Sequence, residues 1–135
     1  MPAKKTFGSV RIRGNVTVDG DINRKGAPVP TFKEYIALLS QQGTNPPTAT
    51  VIKNTLGAEV TFAREDVGYY FAQIPGGFPM LKTICFINGG VSPTATSAAA
   101  PAEMDDAITI STTNQSGNFA DSQLENASFE VRVYP

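Results

Sequence analysis

The chain has 135 residues, of which 41% are hydrophobic and 17% charged, with a formal net charge of −1. That length suits one domain able to bury its own core, and so small a net charge exerts no global pull toward nucleic acid or anionic lipid. With no histidine and the single cysteine Cys85, the usual catalytic triads, Cys/His zinc sites and an intrachain disulfide are all excluded.

A low charged share with 12 glycines and 10 prolines suits a β-protein with many turns better than a helical bundle. No apolar run approaches the roughly 18 residues of a membrane span. The start also lacks the charged-then-apolar layout of a signal peptide, so the expectation is a soluble chain that is not exported by that route. The basic residues gather early, at Lys4, Lys5, Arg11, Arg13, Arg24 and Lys25. Such a cluster is either a solvated end or one that lies on an acidic partner surface.

Between residues 10 and 22 the pattern alternates. Val10, Ile12, Val16, Val18 and Ile22 share one parity, while Arg11, Arg13, Asn15, Thr17, Asp19 and Asp21 take the other. Period two over this length predicts an extended ribbon with one apolar face, interrupted at Gly14 and turned at Asp19-Gly20. A lone ribbon buries little, so it needs a partner surface or copies of itself. Gly26, Pro28 and Pro30 then mark a linker, which divides the chain into an arm and linker (1–30) and a domain (31–135).

Residues 31–42 send two messages. Thr31 and Glu34 fit a helix capping box, Phe32, Tyr35, Ile36 and Leu39 have helical spacing, and Gly43 suits a helix end. The same segment alternates Tyr35, Ala37 and Leu39 with Ile36 and Leu38, as in a strand covered on both faces. Local signals favour helix.

After the loop at 43–47 the strand signals come at short intervals, at 48–55, 59–64, 69–74 and 81–87, with turn residues between them. That spacing predicts antiparallel strands in a sandwich or barrel. Cys85 lies within the 81–87 run and reads as a small buried thiol. Phe62, Phe71, Ile84 and Phe86 are expected in the core, with truncation of Phe86 to Ala costing about 3–5 kcal/mol. Residues 88–103 read as an exposed loop, and 107–112 and 127–134 as the closing strands.

Chemistry is sparse. The acids Glu65, Asp66, Glu103, Asp105 and Asp106 sit at turns, where carboxylates are normally solvated or bond to nearby backbone. Asp19, Asp21 and Asn23 have the odd-position spacing of a calcium loop, but Arg24 and Pro30 stand where its Gly and Glu belong. No phosphate-binding glycine loop is present. No catalytic residue, metal ligand or cofactor is expected, and the chain reads as a non-enzyme. Tyr69 and Tyr70, followed by Phe71, are either a platform for a sugar or core packing.

The segments Tyr35–Thr44 and Pro47–Gly57, together with Gly68-Tyr69-Tyr70 and the closing Phe129-Glu130-Val131-Arg132-Val133-Tyr134-Pro135, resemble virion proteins of tailed bacteriophages. The resemblance is to head-fibre, decoration and tail-fibre-like modules, as in crAss-like and related phages of Bacteroidota and marine hosts. Separately, residues 14–22 resemble the repeating ribbons of trimeric phage fibres. The resemblance implies a strand rather than a helix at Tyr35 and an all-β antiparallel sandwich, jelly-roll or Ig-like, behind an extended arm. It further implies a virion structural protein assembled in the host bacterial cytoplasm, decorating or anchoring on capsid or tail. Val10, Arg11, Ile12, Arg13, Val16 and Val18 would bind other virion proteins, in a homo-oligomer with a trimer favoured and with neither nucleic acid nor membrane as partner. The other implied role is a carbohydrate- or host-surface-binding module of a fibre tip, in which Tyr69 and Tyr70 contact the surface.

Overall fold

The computed structural model describes residue 14 and residues 31–89, 96–102 and 105–135, with the backbone alone at 96–98. The arm residues Val10, Arg11, Ile12, Arg13, Val16 and Val18 lie outside the described residues, as does the linker before Thr31. Residues 31–135 are one compact unit.

The ambiguous segment is strand β1, Lys33–Ser40. It lies between two antiparallel neighbours, β2 (Thr48–Asn54) and β8 (Ala127–Val133). Tyr35, Ala37 and Leu39 are fully buried on its inner face, and Ile36 and Leu38 are half-covered outside. The helical capping signal loses to these tertiary contacts. Glu34 forms an ion pair with Lys53 on β2, and its backbone N–H donates to Thr55 Oγ1 at 2.8 Å.

The remaining strands are β3 (Thr61–Asp66), β4 (Tyr69–Gln73), β5 (Thr83–Asn88), β6 (Thr96–Pro101) and β7 (Ala107–Thr113). A 3-10 turn, Met80–Lys82, leads into β5. One four-stranded sheet, sheet A, has the order β2-β1-β8-β5; the other, sheet B, has the order β3-β4-β7-β6. All pairings are antiparallel. The pairs β1–β2, β3–β4 and β6–β7 are consecutive in the chain, and the other connections cross between sheets. The all-β sandwich is therefore the observed fold.

Its core interleaves Tyr35, Leu39, Phe129 and Val131 of sheet A with Tyr70, Ile108 and Ile110 of sheet B. Ala37 and Ala72 leave room for the rings. Tyr35 and Phe129 meet edge to face, 6.2 Å between centroids. Phe78 and Leu124, from connections, are buried with the strand residues.

Three expectations are corrected: the loop at 88–103, the facing of β5, and the place of Phe71 in the core. The alanine-rich part of the supposed loop is β6, an edge strand paired with β7 from Thr96 to Pro101. Small residues on an edge strand give weak hydrophobic contrast, which is why period and composition miss it. In β5 the parity is the reverse of that expected. Thr83, Cys85 and Ile87 stand opposite Val133, Val131 and Phe129 and turn inward, so Ile84 and Phe86 point out and are 46% and 54% exposed. Both parities of Thr-Ile-Cys-Phe-Ile-Asn carry apolar residues, so the partner strand sets the register. Phe62 is half-buried against the core, with Phe129 at 6.4 Å, whereas Phe71 is half-buried on the outer side of sheet B.

Candidate functional site

Functional side chains fall into three groups: a polar brace at one end of the sandwich, an aromatic pair outside sheet B, and the outer face of sheet A.

The brace begins with Gln41, which follows β1 and is buried despite its amide. Its Nε2 donates to the carbonyls of Gly43 (2.7 Å) and Asn45 (2.9 Å), fixing the β1–β2 loop. Its Oε1 accepts from the Ser122 N–H at 2.6 Å and lies 2.9 Å from the Tyr70 hydroxyl. That hydroxyl is 2.7 Å from Asp121 Oδ1. Asp121 also takes the Arg64 guanidinium, with Nη2 at 2.7 Å from Oδ2, and the Gly68 N–H at 3.0 Å. Gly68 is at φ +63, and a side chain there would meet Thr112 O and Ala120 N at 2.5 and 2.6 Å, so the hairpin turn requires glycine. Ser122 is held at φ 60 by this network, its hydroxyl accepting from the Gly43 N–H at 2.8 Å.

Electrostatics follow from that geometry. The Arg64 hydrogen bond, aided by those from Gly68 and Tyr70, holds the Asp121 carboxyl at about 2, from an ordinary 3.8. Burial, reinforced by the bond to Asp121, pushes the Tyr70 phenol above its ordinary value. Burial likewise raises the Cys85 thiol to about 11, so the thiolate needed for reaction is scarce at neutral pH. Among the described residues no buried side-chain polar atom lacks a partner, and no cluster of His, Cys, Asp or Glu is placed to hold a metal ion. Beside the brace, an open groove of about 570 Å³ is lined by Ser40, Gln42, Ser122, Glu125 and Asn126 among others.

Tyr69 and Tyr70, which read as either a sugar platform or core packing, are separated by the strand's alternation. Tyr70 is wholly inside, with its hydroxyl spent on the brace. Tyr69 is half-buried outside and meets Phe71 edge to face, at 5.5 Å and 75°. Opposite them on β7 stand Ser111 and Thr109.

The outer face of sheet A carries exposed large apolar side chains, among them Ile84 and Phe86. The register puts Ile36, Glu130 and Phe86 in one row and Glu34, Arg132 and Ile84 in the next. Leu38, Ser128 and Asn88 flank the first row. Phe32 and Tyr134 flank the second, with ring centroids 5.3 Å apart. Arg132 and Glu130 pair at 2.8 Å, and the Arg132 guanidinium sits 5.2 Å over the Phe32 ring. Leu81, just before β5, is 95% exposed. An exposed face of an antiparallel sheet is normally polar; this one carries apolar columns on β1 and β5 with a charge pair between them.

Compared with known proteins, the chain matches no family model, no curated protein and no solved structure. The sequence signalled the brace weakly, because Gln41, Asp121 and Arg64 lie far apart in the chain and only folding unites them. The sheet A face was hidden by the inverted parity of β5.

Proposed function

We propose that this chain is a non-enzymatic structural protein of a tailed-phage virion, decorating or anchoring on capsid or tail through its N-terminal arm. The observation that carries this reading is how the polar side chains that meet are used. Gln41, Arg64, Tyr70 and Asp121 are consumed in bracing three connections of the sandwich, while Ile84, Phe86 and Tyr134 are exposed on the outer face of sheet A and Val51 and Ile52 on its edge strand. A site for turnover keeps reactive groups open to a substrate, whereas an assembly module spends them on rigidity and presents apolar surface. The resemblance of residues 35–57 and 129–135 to virion modules, and the apolar–polar alternation in the sequence of residues 10–22, support the same reading.

Peptide mass spectrometry of purified particles tests it. The chain is expected at a fixed ratio to the major structural proteins through repeated density banding. Its loss on the first banding contradicts the reading.

A second reading rests on the Tyr69–Phe71 pair with Ser111 and Thr109 opposite, an aromatic and hydroxyl surface of the kind that takes a sugar ring. The edge-to-face packing weighs against it, since a stacked sugar needs an open aromatic face. Glycan-array binding that disappears in Tyr69→Ala would establish this alternative over the first.

A further inference from the structure

We propose that the outer face of sheet A is a two-fold interface between two copies of this chain. The argument is register. Ile84 and Arg132 are directly paired neighbours in one row, and Phe86 and Glu130 are paired in the next. A two-fold axis lying in the interface, across the strands and midway between these rows, superposes each row on the other row of the partner copy. Phe86 then meets Ile84 of the second copy, and Glu130 meets Arg132 of the second copy. The same operation sets Leu38 against Phe32, one row further out on each side.

On β5 apolar thus covers apolar and on β8 opposite charges meet, while on β1 Ile36 lies over Glu34 of the second copy, whose carboxylate stays paired with Lys53; one operation makes all of these contacts, as an isologous interface requires. The intrachain Arg132–Glu130 pair already holds both charged heads over the face, 39% and 32% exposed, so the meeting makes a closed ring of four alternating charges. A partner of one sign would leave either Glu130 or Arg132 opposed by a like charge; a second copy leaves neither.

The size of the face sets the strength. Strands of about seven residues, four abreast, give a face of roughly 23 by 19 Å. That is the low end of specific interfaces, so dissociation is expected on the order of micromolar or weaker. Such a contact forms where copies are held close together, as on an assembled surface.

The test uses the full-length chain and two charge variants, Glu130→Arg and Arg132→Glu, with mass measured by sedimentation equilibrium over a micromolar-to-millimolar series. In either variant alone like charges meet across the axis, so each is expected to lose the wild type's concentration-dependent doubling of mass. Mixed one to one, the variants restore opposite charges at both contacts, and the doubling is expected to return. Phe86→Ser is expected to lose the doubling without recovery in either mixture, and it supplies the same readout if a charge variant melts far below wild type. Association through the N-terminal residues is indifferent to positions 130 and 132 and changes only the starting mass. Unchanged association in the single variants overturns the proposal, as does a mixture that behaves like its components or a wild type that shows no doubling.

Discussion

Asp121 is the residue on which the polar brace turns. It joins the β3–β4 hairpin, through Arg64 and the Gly68 N–H, to the β7–β8 connection, and it receives the Tyr70 hydroxyl. Its carboxyl titrates at about 2 in the fold against an ordinary 3.8. A depressed folded value means that the stabilisation is complete above the unfolded value and lost as pH falls through the folded one. Urea unfolding should therefore show a stability flat in this contribution down to about pH 4 and falling between about pH 4 and pH 2. Asp121→Asn should lower stability at neutral pH and remove that part of the acid slope. Tyr70→Phe keeps the ring in the core and deletes the hydroxyl, at an expected cost of about 1–2 kcal/mol by the same assay. Little of this was legible beforehand. Tyr70 sits in an aromatic run whose members looked alike, and nothing local marks Asp121, in a polar connection, as the acceptor that fixes them.

Strands are the scale at which the sequence spoke most clearly, and also where it failed in an instructive way. Where one parity is apolar and the other polar, as in Phe129, Val131 and Val133 of β8, the period of two coincides with the strand and its inward face. In β1 the apolar residues fill both parities, and only the neighbours β2 and β8 decide between helix and strand. In β5 both parities are again apolar, and the inward set proved to be Thr83, Cys85 and Ile87 because β8 fixes the register. This gives a direct contrast in thermal or chemical unfolding. Phe129→Ala, which empties the fully buried centre, is expected to cost about 3–5 kcal/mol. Phe86→Ala, on the outer face, is expected to cost under about 1 kcal/mol in the monomer. A Phe86 cost equal to that of Phe129 would mean that β5 is inverted.

For the whole molecule, the two-sheet sandwich was legible because strand signals recur along residues 48–134 with turn residues between them, whatever the exact pairings. The order β2-β1-β8-β5 and β3-β4-β7-β6 was not, since long-range pairing depends on which inner faces fit together. In the proposed function this sandwich would be attached by residues 1–26, so the fold and the attachment are separable by truncation. Removing residues 1–26 should leave the sandwich's unfolding transition within a few degrees of that of the full chain, because among the described residues the buried core cluster runs from Tyr35 to Val131. The most direct test of the account is to supply particles with either the full chain or the version lacking residues 1–26 and measure each in purified virions. The full chain is expected in the particles and the shortened one absent while still folded. Equal incorporation of the two, or the absence of both, would contradict the account.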